Sequence, residues 1–203
     1  ISRQNLSIVI VTFKSEGVIH ECIKSIDKDI KITVVENSNN FQFKDELEKS
    51  YKNVSCVLSS ENLGMGSGNN IGIKRATTDF VLILNPDVIL EASTINELIT
   101  ASQKISSFAI LAPISSDIDY PNYKLDNNKK DSIDYNFPFK VISIDGFAML
   151  FNKKQLDKRL NKNYFDENFF MYLENDDLCK RIIDGKEDIY IVPMSKIKHL
   201  GGK

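Results

Sequence analysis

An α/β domain with a doubly wound, mostly parallel central sheet is the fold class this sequence predicts, and three observations predict it. Short apolar runs rich in Val and Ile recur along the chain, as strands covered on both faces require. Amphipathic segments with helical spacing lie between those runs. The alternation of the two is the pattern of βαβ units rather than of separate helical and sheet domains.

The first four strands are read from "LSIVIVTF" (6–13), "KITVVEN" (31–37), "VSCVLSS" (54–60) and "FVLILN" (80–85). Between the first two, Val18, Ile19, Cys22, Ile23 and Ile26 repeat at helical spacing, with Ser15 as the expected N-cap. Further helices are expected near 45–51, 70–76 and 92–104. After "FAILAP" (108–113) the pattern dissolves, and 115–140 reads as one long variable loop, polar and rich in Asp, Asn, Lys and Tyr. Order resumes with "VISIDGFAMLF" (141–151), a short helix, the acidic stretch "FFMYLENDDLCKR" (169–181) and a last strand "DIYIVP" (188–193). The C-terminal third is thus the less regular part of a single domain over 1–203.

The 203 residues, 42% of them hydrophobic, suffice for one substantial core. A formal charge of −2, from 26 basic and 28 acidic residues, leaves no basic surplus for gripping nucleic acid or an anionic membrane. Cys22, Cys56 and Cys179 are odd in number and set in apolar segments, as small core residues of a reducing compartment are. With only His20 and His199 available, a zinc site is improbable, and a metal here would be a hard cation held by oxygen, magnesium or manganese. No run approaches the ~18 apolar residues of a membrane span, and the start lacks signal-peptide regions. A soluble piece of a longer protein is therefore expected.

Several stretches could carry chemistry. "ENLGMGSGNNIG" (61–72) follows a strand and leads into a helix, where glycines can let backbone amides approach a phosphate. The dinucleotide fingerprint fails, because Asn69 stands where the third glycine should, so a plain turn and a ligand loop stay equally open. Asn85-Pro86-Asp87 is a common turn tripeptide, yet it lies beyond a strand's carboxyl end, where ligands of open α/β sheets collect. An Asp there can hold a cation whose shell is completed by water and phosphate oxygens. Glu36-Asn37-Ser38 ends a strand likewise, as a polar exit or a ribose contact. In the acidic stretch, Asp176 and Asp177 are explained by the dipole of the helix they begin. Glu174 follows the aromatic run "YFDENFFMYL"; burial against such a wall raises a carboxylate's proton affinity, which makes Glu174 the candidate general base. His199, beyond the last strand, is structural, exposed or set to meet a diphosphate.

Taken in order, these segments resemble the family 2 glycosyltransferases with the GT-A fold, in particular the bacterial branch that includes rhamnosyltransferases of cell-surface polysaccharide assembly. "SIVIVTFKSEGVIHECIKSI", "ITVVENSNN", "ENLGMGSGNNIGIKRATTDFVLILNPDV", "IDGFAMLF", "YFDENFFMYLENDDLCKRI" and "IYIVPMSKIKHLGGK" carry the resemblance, which covers nearly the whole chain. It implies that Thr12, Phe13, Glu36 and Asn37 frame the nucleoside, and that Asn62, Gly64 and Asn70 border the nucleotide-sugar. Asn85 and Asp87 stand where the family's Asp-x-Asp metal motif stands. Asp145 and Gly146 would lie beside the sugar or acceptor, the acidic stretch would supply the base, and His199 would approach the diphosphate or its metal.

Two positions depart from that pattern. Asn85 replaces the first Asp of the metal motif, and Asn175, which accepts no proton at neutral pH, stands where the family commonly places its base. The resemblance then implies inverting transfer from a nucleoside-diphosphate sugar, with Mn2+ or Mg2+, to a hydroxyl of a glycan or lipid-linked acceptor. Glu174, or failing that Asp177, takes the proton. The rivals are a glycosyltransferase-like domain that binds without turnover and a nucleotidyltransferase. A cytoplasmic location is implied, at the inner membrane face if residues outside this chain anchor it.

Overall fold

The computed structural model describes residues 1–117, 119–126 and 133–201. Strands β1 (Leu6–Thr12), β2 (Lys31–Glu36), β3 (Val54–Leu58) and β4 (Phe80–Leu84) form where the apolar runs predict them, and they pair in parallel in the order β3-β2-β1-β4. Beyond β4 the sheet continues through β10 (Ala148–Asn152), β6 (Ile110–Ser115), β11 (Ile189–His199) and β5 (Val88–Leu90), with β8 (Phe139–Val141) on β11. Strand β10 runs antiparallel to both β4 and β6, and β11 is parallel to β6 but antiparallel to β5 and β8. Direction is a property that an apolar run does not encode, so the insertion of β10 into the parallel series was invisible in the sequence. Two short strands, β7 (Tyr123–Lys124) and β9 (Ser143–Ile144), pair within the segment expected to be one loop; 118 and 127–132 of that segment lie outside the described residues.

Successive β1 residues point to opposite faces, and each face meets its own helices. Ile8 and Ile10 join Ile32, Val34, Leu82, Leu84 and Leu150 under α1 (Ile19–Lys24), α2 (Phe41–Ser50) and α4 (Thr94–Lys104). Val9 joins Val81, Ile83, Met149 and Phe151 under α3 (Gly64–Arg75), α5 (Lys153–Leu160) and α6 (Glu174–Asp184). All three cysteines are buried and free, as core residues should be. No described helix is long and apolar enough to cross a membrane.

Two local expectations need correction. Ser15 does not cap α1; its hydroxyl closes a turn with the Phe13 backbone, and its carbonyl accepts from Val18 and Ile19. The glycine-rich stretch is neither turn nor loop but the first two turns of α3, which starts at Gly64 rather than near 70. A glycine inside a helix costs about 1 kcal/mol relative to Ala. The reason for tolerating it is contact: a Cβ on Gly68 would stand 2.7 Å from Val11 Cγ1, and one on Gly72 2.3 Å from Val9 Cγ1. Glycine at 68 and 72 lets α3 lie flush on β1.

Candidate active site

Because β1, β2 and β4 are parallel, Thr12, Glu36 and Asn85 emerge on the same edge of the sheet, joined there by the turn between β9 and β10, the start of α6 and the end of β11. Two cavities open along this edge. The smaller, of about 420 Å3, is lined by Phe13, Lys14, Gly17, Asn85, Asp87 and Met171 among others. The larger, of about 560 Å3, is lined by Asn69, Asn85, Asp145, Glu174, Asp176 and His199 among others. Met65, Asn85 and Met171 line both, so the two are compartments of one cleft.

Several residues expected to meet the nucleotide have contacts that hold the cleft together. Glu36 is fully buried, and its carboxylate accepts from the Ser38 amide and hydroxyl at 2.9 and 2.5 Å and from the Asn40 amide at 2.7 Å. Three of its roughly four acceptor sites serve the β2–α2 turn. Asn37 donates to the Gly64 carbonyl at 3.0 Å and accepts from the Ser59 hydroxyl, tying β2 to the start of α3. Asn62 accepts from the Gly64 amide at 3.1 Å. Gly64 has φ +78°, and a Cβ there would lie 2.0 Å from the Phe170 carbonyl oxygen, so only glycine fits. The Asn70 amide grips the backbone of Phe165 in both directions, at 2.8 and 3.0 Å. Thr12 is buried with an unpartnered hydroxyl, and exposed Phe13 faces the smaller cavity with the Lys14 ammonium 5.4 Å from its ring centre.

Asp87 and His199 are brought together by the pairing of β5 with β11. His199 pairs with Val88, the Leu200 amide donates to the Asp87 carbonyl at 3.0 Å, and His199 Nε2 lies 3.3 Å from Asp87 Oδ2. Phe147 stacks on the imidazole with ring centres 4.2 Å apart. Among the described residues no three His, Cys, Asp or Glu side chains converge to hold a metal by themselves. One carboxylate and one imidazole fit a cation only if its remaining positions are filled by water and diphosphate oxygens, the usual arrangement for magnesium.

The acids of α6 part company. Asp177 is not brought to the cleft: Arg181, one turn on, takes its carboxylate at 2.8 Å while also donating to the Asn163 and Tyr164 carbonyls. Asp176 lines the cleft but accepts from the Ser143 hydroxyl at 2.5 Å and from Lys124 at 3.2 Å, and these, the hydroxyl foremost, hold its carboxyl below the ordinary aspartate range. Glu174 packs against Gly66 of α3, with Oε2 buried and unpartnered. The aromatic run before it is split: Tyr164 and Phe165 are buried, Phe165 lining the cleft with Glu174, whereas Phe170, Met171, Tyr172 and Leu173 are exposed, and Tyr172 and Leu173 carry positive φ. Asn175 donates to the Ile144 carbonyl at 2.9 Å, and a Cβ on Gly146 would meet its Cβ at 3.3 Å. Asp145 lies in the cleft, and burial pushes its carboxyl up; Lys124 opposes that, Asp176 adds to it and His199 opposes it.

Sequence reasoning missed four contributors. Asn69 and Met65 sit on the cleft face of α3, hidden because that stretch was not recognised as helix. Phe147 orients His199, and fully buried Asn122 braces Pro113, Ser115 and the Asp145 amide. Neither carries any local signal, since their partners are distant in sequence.

Sheet order, cleft position and the paired Asp87 and His199 together define an α/β domain with one cleft at the carboxyl ends of its parallel strands. The family model described as glycosyl transferase family 2 matches residues 7–178, and the chain belongs to that family. It is 32% identical over 113 residues to the low-salt glycan biosynthesis hexosyltransferase Agl10 of Haloferax volcanii, covering 54% of this chain and 36% of that protein. It is 25% identical over 221 residues to rhamnosyltransferase WbbL of Escherichia coli, covering 92% and 80%. Among solved structures, GalNAc-T7 with UDP, GalNAc and Mn2+ aligns with TM-score 0.76 at 16% identity, over 96% of this chain and 43% of that one. Staphylococcus aureus TarS 1–349 with UDP-GlcNAc aligns with TM-score 0.69 at 16% identity, over 98% and 60%. The fold is the GT-A fold of glycosyltransferases, and the matches cover less than half the length of the Haloferax relative and of GalNAc-T7.

Proposed function

We propose that this domain transfers a hexosyl group, with inversion, from a nucleoside-diphosphate sugar to a hydroxyl of a glycan or lipid-linked acceptor in surface polysaccharide synthesis. The observation that carries the reading is the two-compartment cleft meeting at Asn85, with Phe13, Lys14 and Asp87 on one side and Asp145, Glu174 and Asp176 on the other. The nucleoside lies along Phe13 and Lys14, the diphosphate beside Asp87 and His199, and the sugar and acceptor between Asn69 and the acids. Asp87 and His199 are the residues that would hold a divalent cation, which when bound offsets charge on the departing diphosphate. The acceptor oxygen attacks the anomeric carbon from the face opposite the diphosphate, so orientation in the cleft supplies much of the rate. Its proton passes to one of the two cleft carboxylates that form no ion pair among the described residues, Glu174 or Asp145.

The rhamnosyltransferase-like substrate class is supported by the 92% coverage against WbbL. The reading is tested by melting the protein with UDP-, dTDP- and GDP-hexoses, with manganese or with chelator, and by assaying release of nucleoside diphosphate. Stabilisation and manganese-dependent release by one nucleotide series are expected; neither binding nor release across the panel overturns it.

A further inference from the structure

The acidic end of the cleft presents two candidates for the acceptor's proton, and their surroundings differ. Glu174 lies against α3 over Gly66, behind exposed residues 170–173, with Oε2 shut away from solvent. Asp145 stands at the turn between β9 and β10, and the peptide that precedes it is held at both its N–H and its C=O. Its own amide donates to the Asn122 carbonyl at 2.9 Å, and the carbonyl of Ile144 just before it accepts from Asn175 at 2.9 Å. Asn122 is in turn held by the Pro113 carbonyl and the Ser115 amide, both at 2.9 Å. Among the described residues no hydrogen bond or ion pair engages the Asp145 carboxylate, whereas Asp176 and Asp177 are taken by Ser143 and Lys124 and by Arg181. A rigid turn presenting an unengaged carboxylate into a cleft is the arrangement a general base requires.

We propose that Asp145 is the catalytic base, aimed by a clamp in which the Asn122 backbone carbonyl and the Asn175 side chain hold the peptide before it. The proposal rests on the transfer reading of this cleft. The acceptor oxygen's lone pair forms the new bond to the anomeric carbon. The bond from that carbon to the diphosphate oxygen breaks, its electron pair leaving with the diphosphate, and the acceptor's O–H proton moves to the Asp145 carboxylate and thence to water. Asn175 is then a positioning residue, and its amide rather than a carboxylate is what the site needs. The half-buried setting of Asp145 works the same way, since burial raises its affinity for the proton it receives. The groups that face it and shape its titration are Lys124, Asp176 and His199.

The test compares Asp145→Asn with Glu174→Gln, using the most stabilising sugar nucleotide and water as the acceptor, with nucleoside-diphosphate release as the signal. Asp145→Asn is expected to lower kcat by about 100-fold or more, leaving the nucleotide-induced melting shift and the donor KM unchanged and removing the acid limb of the kcat pH profile. Glu174→Gln is expected to cost less than Asp145→Asn and to keep that limb. Near-wild-type kcat in Asp145→Asn, or a larger kcat loss in Glu174→Gln, overturns the assignment. A wild-type protein that neither binds nor cleaves any sugar nucleotide defeats the underlying reading instead, so the two failures are distinguishable.

Discussion

Asn175 Nδ2 donates to the Ile144 carbonyl at 2.9 Å, fixing the start of α6 to the turn that carries Asp145. This contact gives Asn175 a structural reason to be an amide. Asn175→Asp replaces a donor by an acceptor facing a carbonyl, and stranding a partly buried polar group costs about 1–3 kcal/mol. The variant should melt at lower temperature in a thermal denaturation series and should transfer no faster than wild type. A faster enzyme would show that position 175 is the seat of the base after all.

The packing of α3 on β1 gives a second outcome. Ala at 72 improves helix propensity by about 1 kcal/mol, yet its Cβ would meet Val9 Cγ1 at 2.3 Å. Overpacking of that kind costs about 1–3 kcal/mol, so Gly72→Ala should lower the midpoint of urea unfolding despite the better propensity. Gly17→Ala is the control: nothing lies within 4 Å of a Cβ there, and its effect should stay within about 0.5 kcal/mol.

How far the sequence reached follows from the same contacts. Strands β1, β2 and β4 were legible because a strand covered on both faces must be continuously apolar, and burial is complete along β1. Asp87 was legible as a position beyond a strand end, whereas His199 lies within β11, which runs six residues past the expected end at 193, and their approach to 3.3 Å depends on β5, a three-residue strand too short to announce itself. The bonds of Glu36 to its own turn were not legible for a physical reason: a carboxylate that ends a strand looks the same in sequence whether or not it folds back onto its turn amides. The tie of Asp177 to Arg181, by contrast, was written in the i,i+4 spacing.

The Asp87 and His199 pair yields a metal-dependence outcome. Chelator should abolish the manganese-enhanced part of the nucleotide melting shift, and manganese in excess should restore it. Asp87→Asn should remove that part while leaving any metal-free nucleotide shift. Phe147→Ala frees the imidazole that Phe147 stacks upon at 4.2 Å and should weaken the manganese response less than Asp87→Asn does. Titrating manganese against the melting temperature of each variant checks all three.

Asp145 also sets a stability signature whose sign can be worked out. Burial raises its folded-state pKa above the unfolded value, so over the interval between the two the native chain binds more protons than the unfolded one. Stability then falls as pH climbs from the unfolded aspartate value, about 3.9, through the folded value, and the cost persists at neutral pH. Asp145→Asn removes that cost, so the variant should outlast wild type in urea at pH 7, and its advantage should vanish below about pH 3.9. Asp176 works in the opposite sense. Ser143 and Lys124 hold its pKa down, so its contribution is present above the unfolded value and is lost as pH falls through the folded one. Ser143→Ala should therefore lower stability at pH 7 and have a smaller effect once Asp176 is protonated in both states. Urea midpoints of wild type and the two variants across the acid range separate these terms. An Asp145→Asn variant less stable than wild type at pH 7 would mean that the carboxylate is engaged by a partner, and the site would lose its unengaged acid.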